Sequence, residues 1–241
     1  MRYSLVCLDA GFTLLTPRRT LAQTLAGVLE QRGHPVSTDE IHRAWEVADR
    51  WFWDEYHRPE NETWGHDDRI EQTWREYHTV MLEEIGYRDR SHDFLDAILA
   101  SQFAPDSWEL YPDVEPALSS LRQLPGLQVA VVSDWGSSLH GLLAGLGLDR
   151  YLDFVLASGA VGVSKPNPAF FQIALERAGV EPAEALMVGD SLRADVQGAQ
   201  AAGMDGVLLL RPEGAAQTDQ SIAGVPRISS LAELPRLVSG G

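Results

Sequence analysis

Tyr3-Ser4-Leu5-Val6-Cys7-Leu8-Asp9-Ala10-Gly11 opens the chain with a short apolar run that stops on an acid and a turn-prone Ala-Gly pair. A run this short, bounded by a turn, predicts a strand, with Asp9 at its carboxyl end. One strand cannot stand alone, and its partners lie far downstream. Beyond Leu110-Tyr111-Pro112, strands are expected near 128–133, 152–157, 185–189 and 205–210, alternating with helices near 114–123, 137–146, 167–178 and 193–202. A last short strand and helix follow a Gly, Ala and Gln-rich stretch, Arg211 to Val225, that reads as a surface loop. Such alternation predicts an α/β fold with a doubly wound parallel sheet, and the first strand belongs in that sheet. Residues 18–106 differ: amphipathic helices, clearest over Thr38–Tyr56 and Asp67–Ile85, with no strand pattern between them. The expected organisation is a core of residues 1–17 and 107–241 with an inserted α-helical cap, 18–106. The cap would lie over the carboxyl ends of the strands, where open parallel sheets bind ligands.

Composition narrows the partners. The chain has 241 residues, 44% of them hydrophobic, enough for a real core. A net charge of -16 argues against nucleic acid and anionic membrane surfaces, which need clustered basic residues. No run of about 18 apolar residues occurs and no signal-peptide apolar region precedes Asp9, so a soluble cytoplasmic protein, monomer or homodimer, is expected. Cys7 is the only cysteine, which excludes an intrachain disulfide. Among 19 basic residues Lys165 is the single lysine; all others are arginine. A compact ammonium retained in an arginine-only chain points to a crowded anionic site.

Four polar positions fall at the ends of expected strands: Asp9, Ser133-Asp134, Lys165 in the loop after the 152–157 strand, and Asp190 with Asp195. Any one alone could be a turn or helix cap. Strand ends of a parallel sheet share one edge, so the set would converge. Asp9-Ala10-Gly11-Phe12-Thr13-Leu14, Val132-Ser133-Asp134, Ser164-Lys165-Pro166-Asn167-Pro168 and Val188-Gly189-Asp190-Ser191 with Asp195 together resemble the four ordered motifs of the haloacid dehalogenase (HAD) superfamily. The helical insertion after the first motif is similar to that family's cap.

The resemblance implies a magnesium-dependent hydrolase, most often a phosphatase acting on a small phosphorylated molecule through an aspartyl-phosphate on Asp9. Asp9, Ser133 and Lys165 would be catalytic. Thr13, Ser133, Asp134 and Lys165 would bind substrate. Asp9, the carbonyl of Gly11, Asp190 and Asp195 would form the Mg2+ site, with Asp195 orienting water around the metal; hard oxygen donors suit that ion.

One departure stands out. The family's phosphatases carry a second Asp two residues after the nucleophile, as general acid and base, and here that residue is Gly11. Phe12 replaces the usual glycine beside it. The lost proton donor would come from metal-associated water, Asp134, or a cap histidine such as His57 or His66. Phosphonate-cleaving members need a cap lysine, and residues 18–106 contain none. Two alternatives stay open: a 2-haloacid dehalogenase, which expels halide and needs no proton, and a catalytically weak ligand-binding protein.

The cap holds five of the seven tryptophans and six of the seven histidines. Trp45, Trp51, Trp53, Trp64 and Trp74 could line an apolar pocket but read as core packing, and the histidines show no compact metal motif. With 19 acidic residues against 10 arginines in residues 18–106, the cap disfavours heavily anionic substrates unless Arg18 or Arg19 offsets the charge. Thr16-Pro17 and Pro105 to Pro112 are the expected hinges.

Overall fold

The computed structural model describes residues 2–56, 63–211 and 224–240. In chain order the strands are β1 (Leu5–Leu8), β2 (Leu15–Pro17), β3 (Trp108–Leu110), β4 (Gln128–Ser133), β5 (Phe154–Ala157), β6 (Ala185–Gly189), β7 (Asp205–Leu209) and β8 (Arg227–Ile228). The α-helices are α1 (Leu21–Gln31), α2 (Thr38–Tyr56), α3 (Asp67–Ile85), α4 (His92–Phe103), α5 (Val114–Leu121), α6 (Leu139–Gly145), α7 (Pro168–Ala178), α8 (Gly198–Ala201) and α9 (Leu234–Ser239).

Six strands form one parallel sheet in the order β5-β4-β1-β6-β7-β8. β1 is central: Leu5 pairs with Gln128 on one side and Ala185 on the other. All four residues of β1 are fully buried, as are Val129 to Val132 and Ala185 to Val188. Strands covered on both faces read as unbroken apolar runs, which is why they were visible in the sequence. Leu5, Cys7, Ala130, Val132 and Met187 pack with Phe170, Phe171, Ala174 and Ala199 of α7 and α8. From β1 the chain runs outward through β4 and β5, then returns to build β6, β7 and β8 on the other side. The order therefore reverses at β1, and the ligand crevice of such a sheet lies at that reversal.

The described residues divide into two compact units. One comprises Met1–Thr16, Trp64–His66 and Glu109–Gly241; the other comprises Pro17–Thr63 and Asp67–Trp108. The second unit is a helical bundle with its own core of Leu25, Leu29, Ala44, Tyr77, Met81, Phe94 and Ile98. Trp45, Trp51, Phe52 and Trp74 pack against that core, whereas Trp53, also expected there, is exposed on α2. His34, His42 and His92 are exposed, and buried His78 bonds Gln102 at 2.7 Å.

The structure differs from the expectations in three places. β2 and β3 form a separate two-stranded sheet where the chain crosses between units. Three-residue strands carry too little periodicity to be read. The helix expected at 193–202 begins as a π-helical turn, Leu192–Gln197, before α8. Trp64–His66, expected within the cap, belong to the first unit. Gly65 lies so close to Gly162 that a Cβ would meet its carbonyl oxygen at 2.9 Å. Most of the Arg211 to Val225 loop, and His57, lie outside the described residues. No helix among the described residues is long and apolar enough to cross a membrane.

Candidate active site

Asp9 follows β1 directly, and its backbone N–H donates to Val188 O at 3.0 Å, which ties the turn to β6. Beyond it the chain folds tightly: Leu14 and Leu15 both donate to Ala10 O, at 2.8 and 2.9 Å. To close this loop Phe12 adopts φ 53, a left-handed conformation that costs an L-residue about 1–2 kcal/mol. That is the position at which the motif resemblance implies glycine.

Lys165 reaches this loop from the β5–α7 connection. Its Nζ donates to Asp9 Oδ1 and to Asp195 Oδ1, each at 2.6 Å, with all three residues buried. Asp134, just beyond β4, accepts the backbone N–H of Lys165 at 2.9 Å. Asn167 caps α7 by accepting from Ala169 N, and Pro168 starts the helix, so the loop has a fixed end.

Asp195 is wholly buried. Its second oxygen accepts Ser191 N at 2.9 Å. The π-helical turn brings it back over β6, so near Gly189 that a Cβ there would lie 2.1 Å from Asp195 Oδ2. Only glycine can end β6 in this arrangement. Carboxylate oxygens of Asp9, Asp190 and Asp195 lie within 4.8 Å of one another, and Thr13 Oγ1 donates to Asp190 Oδ1 at 3.4 Å. Ser133 ends β4 and is buried.

The electrostatics follow from this crowding. Burial, then the charges of Asp9 and Asp195, push the Asp190 carboxyl well above the usual carboxylate range. Asp195 is pushed up to about 6, with burial outweighing the opposing pull of Lys165. Asp134 rises to about 7, again through burial first. Burial alone would lower Lys165, but Asp195, Asp9 and Asp134 overcome it and hold the ammonium well above its ordinary value. One cation among four carboxyl groups cannot pair them all, and three of them are pushed toward the protonated form. A divalent ion with hard oxygen ligands fits that donor set.

All the strand-end residues singled out in the sequence thus meet at one edge of the sheet, with two refinements. Asp134 holds the backbone of Lys165, and Asp195 spends both oxygens on protein donors. Gly11 needs no special backbone conformation; a Cβ there would have as its nearest neighbour Trp135 Cζ3, at 3.6 Å. His66 belongs to this unit, its ring beside Gly162. Sequence reasoning missed Trp135 and buried Arg211, the latter hidden among many arginines.

A parallel sheet that gathers a carboxylate after its central strand, one buried lysine and an acidic pair is the arrangement that the resemblance in the sequence implies. The chain belongs to the haloacid dehalogenase-like hydrolases: that family's model matches residues 3–203. Haloacid dehalogenase-like hydrolase domain-containing protein 3 of Mus musculus is 33% identical over 215 residues, covering 88% of this chain and 84% of its own. Phosphoserine phosphatase of Thermus thermophilus is 35% identical over 178 residues, covering 64% and 70%. Among solved structures, the HAD-hydrolase YfnB of Bacillus subtilis, bound to magnesium, superposes with a TM-score of 0.79 at 20% identity, covering 99% of each chain. At that identity the likeness speaks for the fold.

Proposed function

We propose that this hydrolase is a magnesium-dependent phosphatase that moves the phosphoryl group of a small phosphomonoester onto Asp9 and then to water. The observation that carries the reading is the buried Asp9–Lys165–Asp195 array beside Asp190, because it couples a nucleophile-type carboxylate to a cation and an acidic trio. Asp9, the Gly11 carbonyl and Asp190 would hold Mg2+, with Asp195 behind them; bound there, the ion neutralises the approaching phosphate and polarises its oxygens.

Lys165 fixes Asp9 through Oδ1, leaving Oδ2 to attack phosphorus as the bond to the leaving oxygen breaks. Ser133 and the backbone N–H groups after β4 would bind phosphoryl oxygens. Water then attacks phosphorus, the bond to Asp9 breaks, and inorganic phosphate leaves with the carboxylate restored. The leaving oxygen needs a proton that Gly11 cannot give. Asp134 and His66 are the side chains of this unit suited to supply it. The helical unit would act as a cap that selects substrate and excludes water.

The test is phosphate release from a panel of phosphorylated metabolites with and without magnesium, beside halide release from 2-chloropropionate. Magnesium-dependent phosphate release that vanishes in Asp9→Asn is expected. Metal-independent halide release would replace this reading with the dehalogenase one, which Gly11 alone favours. Folded protein that binds magnesium yet releases neither product would favour a ligand-binding role.

A further inference from the structure

Arg211 follows β7 and is buried, outside every motif given a role above. Its guanidinium sits over Tyr111, 3.9 Å from the ring centroid, and grips Asp113 with bonds of 3.0 and 2.9 Å. Asp113 also accepts Ser230 Oγ at 2.7 Å and Leu231 N at 2.9 Å. So far this is a staple between the start of α5 and the last segment of the chain. One bond goes further: Arg211 Nη2 donates to the carbonyl oxygen of Thr13 at 2.8 Å.

Thr13 is no ordinary acceptor. It follows Phe12, which holds its left-handed φ of 53 without being glycine, and its hydroxyl reaches Asp190. A strained residue persists only where its surroundings over-determine it. Arg211 supplies a planar donor, seated over the Tyr111 ring, to the residue next to the strain.

We propose that Arg211 is a positioning residue of this site: a strut that holds Gly11 to Thr13 in place and, through Thr13, sets Asp190 against Asp9. The catalytic consequence rests on the phosphatase reading; the mechanical claim does not.

Arg211→Lys separates strut from staple, because an ammonium keeps charge opposite Asp113 but lacks the fork that serves two partners. Asp113→Asn does the reverse, weakening the ion pair while leaving the bond to Thr13. Each is measured for thermal midpoint, magnesium binding by calorimetry, and kcat on p-nitrophenyl phosphate. Arg211→Lys is expected to lose about 10²-fold in kcat, the cost of an ångström-scale misplacement, and about tenfold in magnesium affinity, with a measurable loss of midpoint that is smaller than that of Asp113→Asn. Asp113→Asn is expected to lose midpoint and keep most of kcat. Adding Phe12→Gly to Arg211→Lys removes the strain and should recover much of the lost kcat. Unchanged kcat in Arg211→Lys, parallel losses in both single variants, or no recovery with Phe12→Gly overturns the strut. A wild type inert to substrate and magnesium would sink the phosphatase reading instead. The strut is then judged on midpoints: the loss from Arg211→Lys is expected to shrink in the Phe12→Gly background, and an equal loss in both backgrounds overturns it.

Discussion

The two compact units bury different kinds of polar group. Among the described residues, the sheet-bearing unit hides the charged types Asp9, Lys165, Asp195 and Arg211 beside Thr13, Ser133 and Ser158, and the helical unit hides only Thr24, His78 and Gln102. Buried charge is costly even when paired, so these ion pairs are weak evidence of a role in stability. In the sheet unit the charges meet at the strand ends around Asp9. In the helical unit the buried His78–Gln102 pair joins α3 to α4, and the aromatic residues mostly fill a core. The residues proposed for chemistry all lie in the first unit.

The sharpest way to break this contrast is Asp9→Asn. It removes the proposed nucleophile while relieving repulsion within the acidic group, so activity should fall at least ~10⁴-fold, the scale on which a lost nucleophile is felt. The thermal midpoint should hold or rise. A midpoint that collapses with the activity would make Asp9 a structural residue.

A gain is the next test. Because a Cβ at Gly11 meets nothing closer than Trp135 at 3.6 Å, Gly11→Asp has room to return a proton donor to the site. Turnover of alkyl phosphates should rise about 10²-fold, the lower range for a positioned general acid. Steady-state kinetics that show no gain, with magnesium binding intact, would mean that Asp134 or His66 already fills the role.

The smallest effect belongs to the helical unit. Burial depresses His78 from its ordinary 6.5 to about 4, against a small opposing effect from Gln102. Its folded form is therefore neutral, and the unfolded chain takes up the proton first. Stability is fully present above pH 6.5 and drains as pH falls toward 4, by about 3 kcal/mol at most. Urea unfolding at a series of pH values should show this slope, and His78→Gln should flatten it. An unchanged slope would place the acid sensitivity in the sheet unit.

How much of this could be read in advance depended on length and on charge. Thr38–Tyr56 and Asp67–Ile85 were legible because 19 residues of helical periodicity leave little ambiguity. β1, β4 and β6 were legible as apolar runs, and the acids that end them marked the site. The β2–β3 pair was not, since neither strand completes a recognisable alternation. The π-helical turn was hidden because it arises from Asp195 folding back on Gly189 and Ser191, a tertiary event. Arg211 was invisible for a compositional reason: Lys165 stood out as the single lysine, and one arginine among many does not.

The central claim is that Asp9 attacks phosphorus. Rapid quenching of the enzyme during turnover of p-nitrophenyl phosphate, borohydride reduction and mass spectrometry of the peptide containing Asp9 test it directly. Reduction of a phosphorylated Asp9 to homoserine is the result the account predicts. Turnover with Asp9 recovered unmodified at every quench time would show water attacking phosphorus without it and would contradict the account.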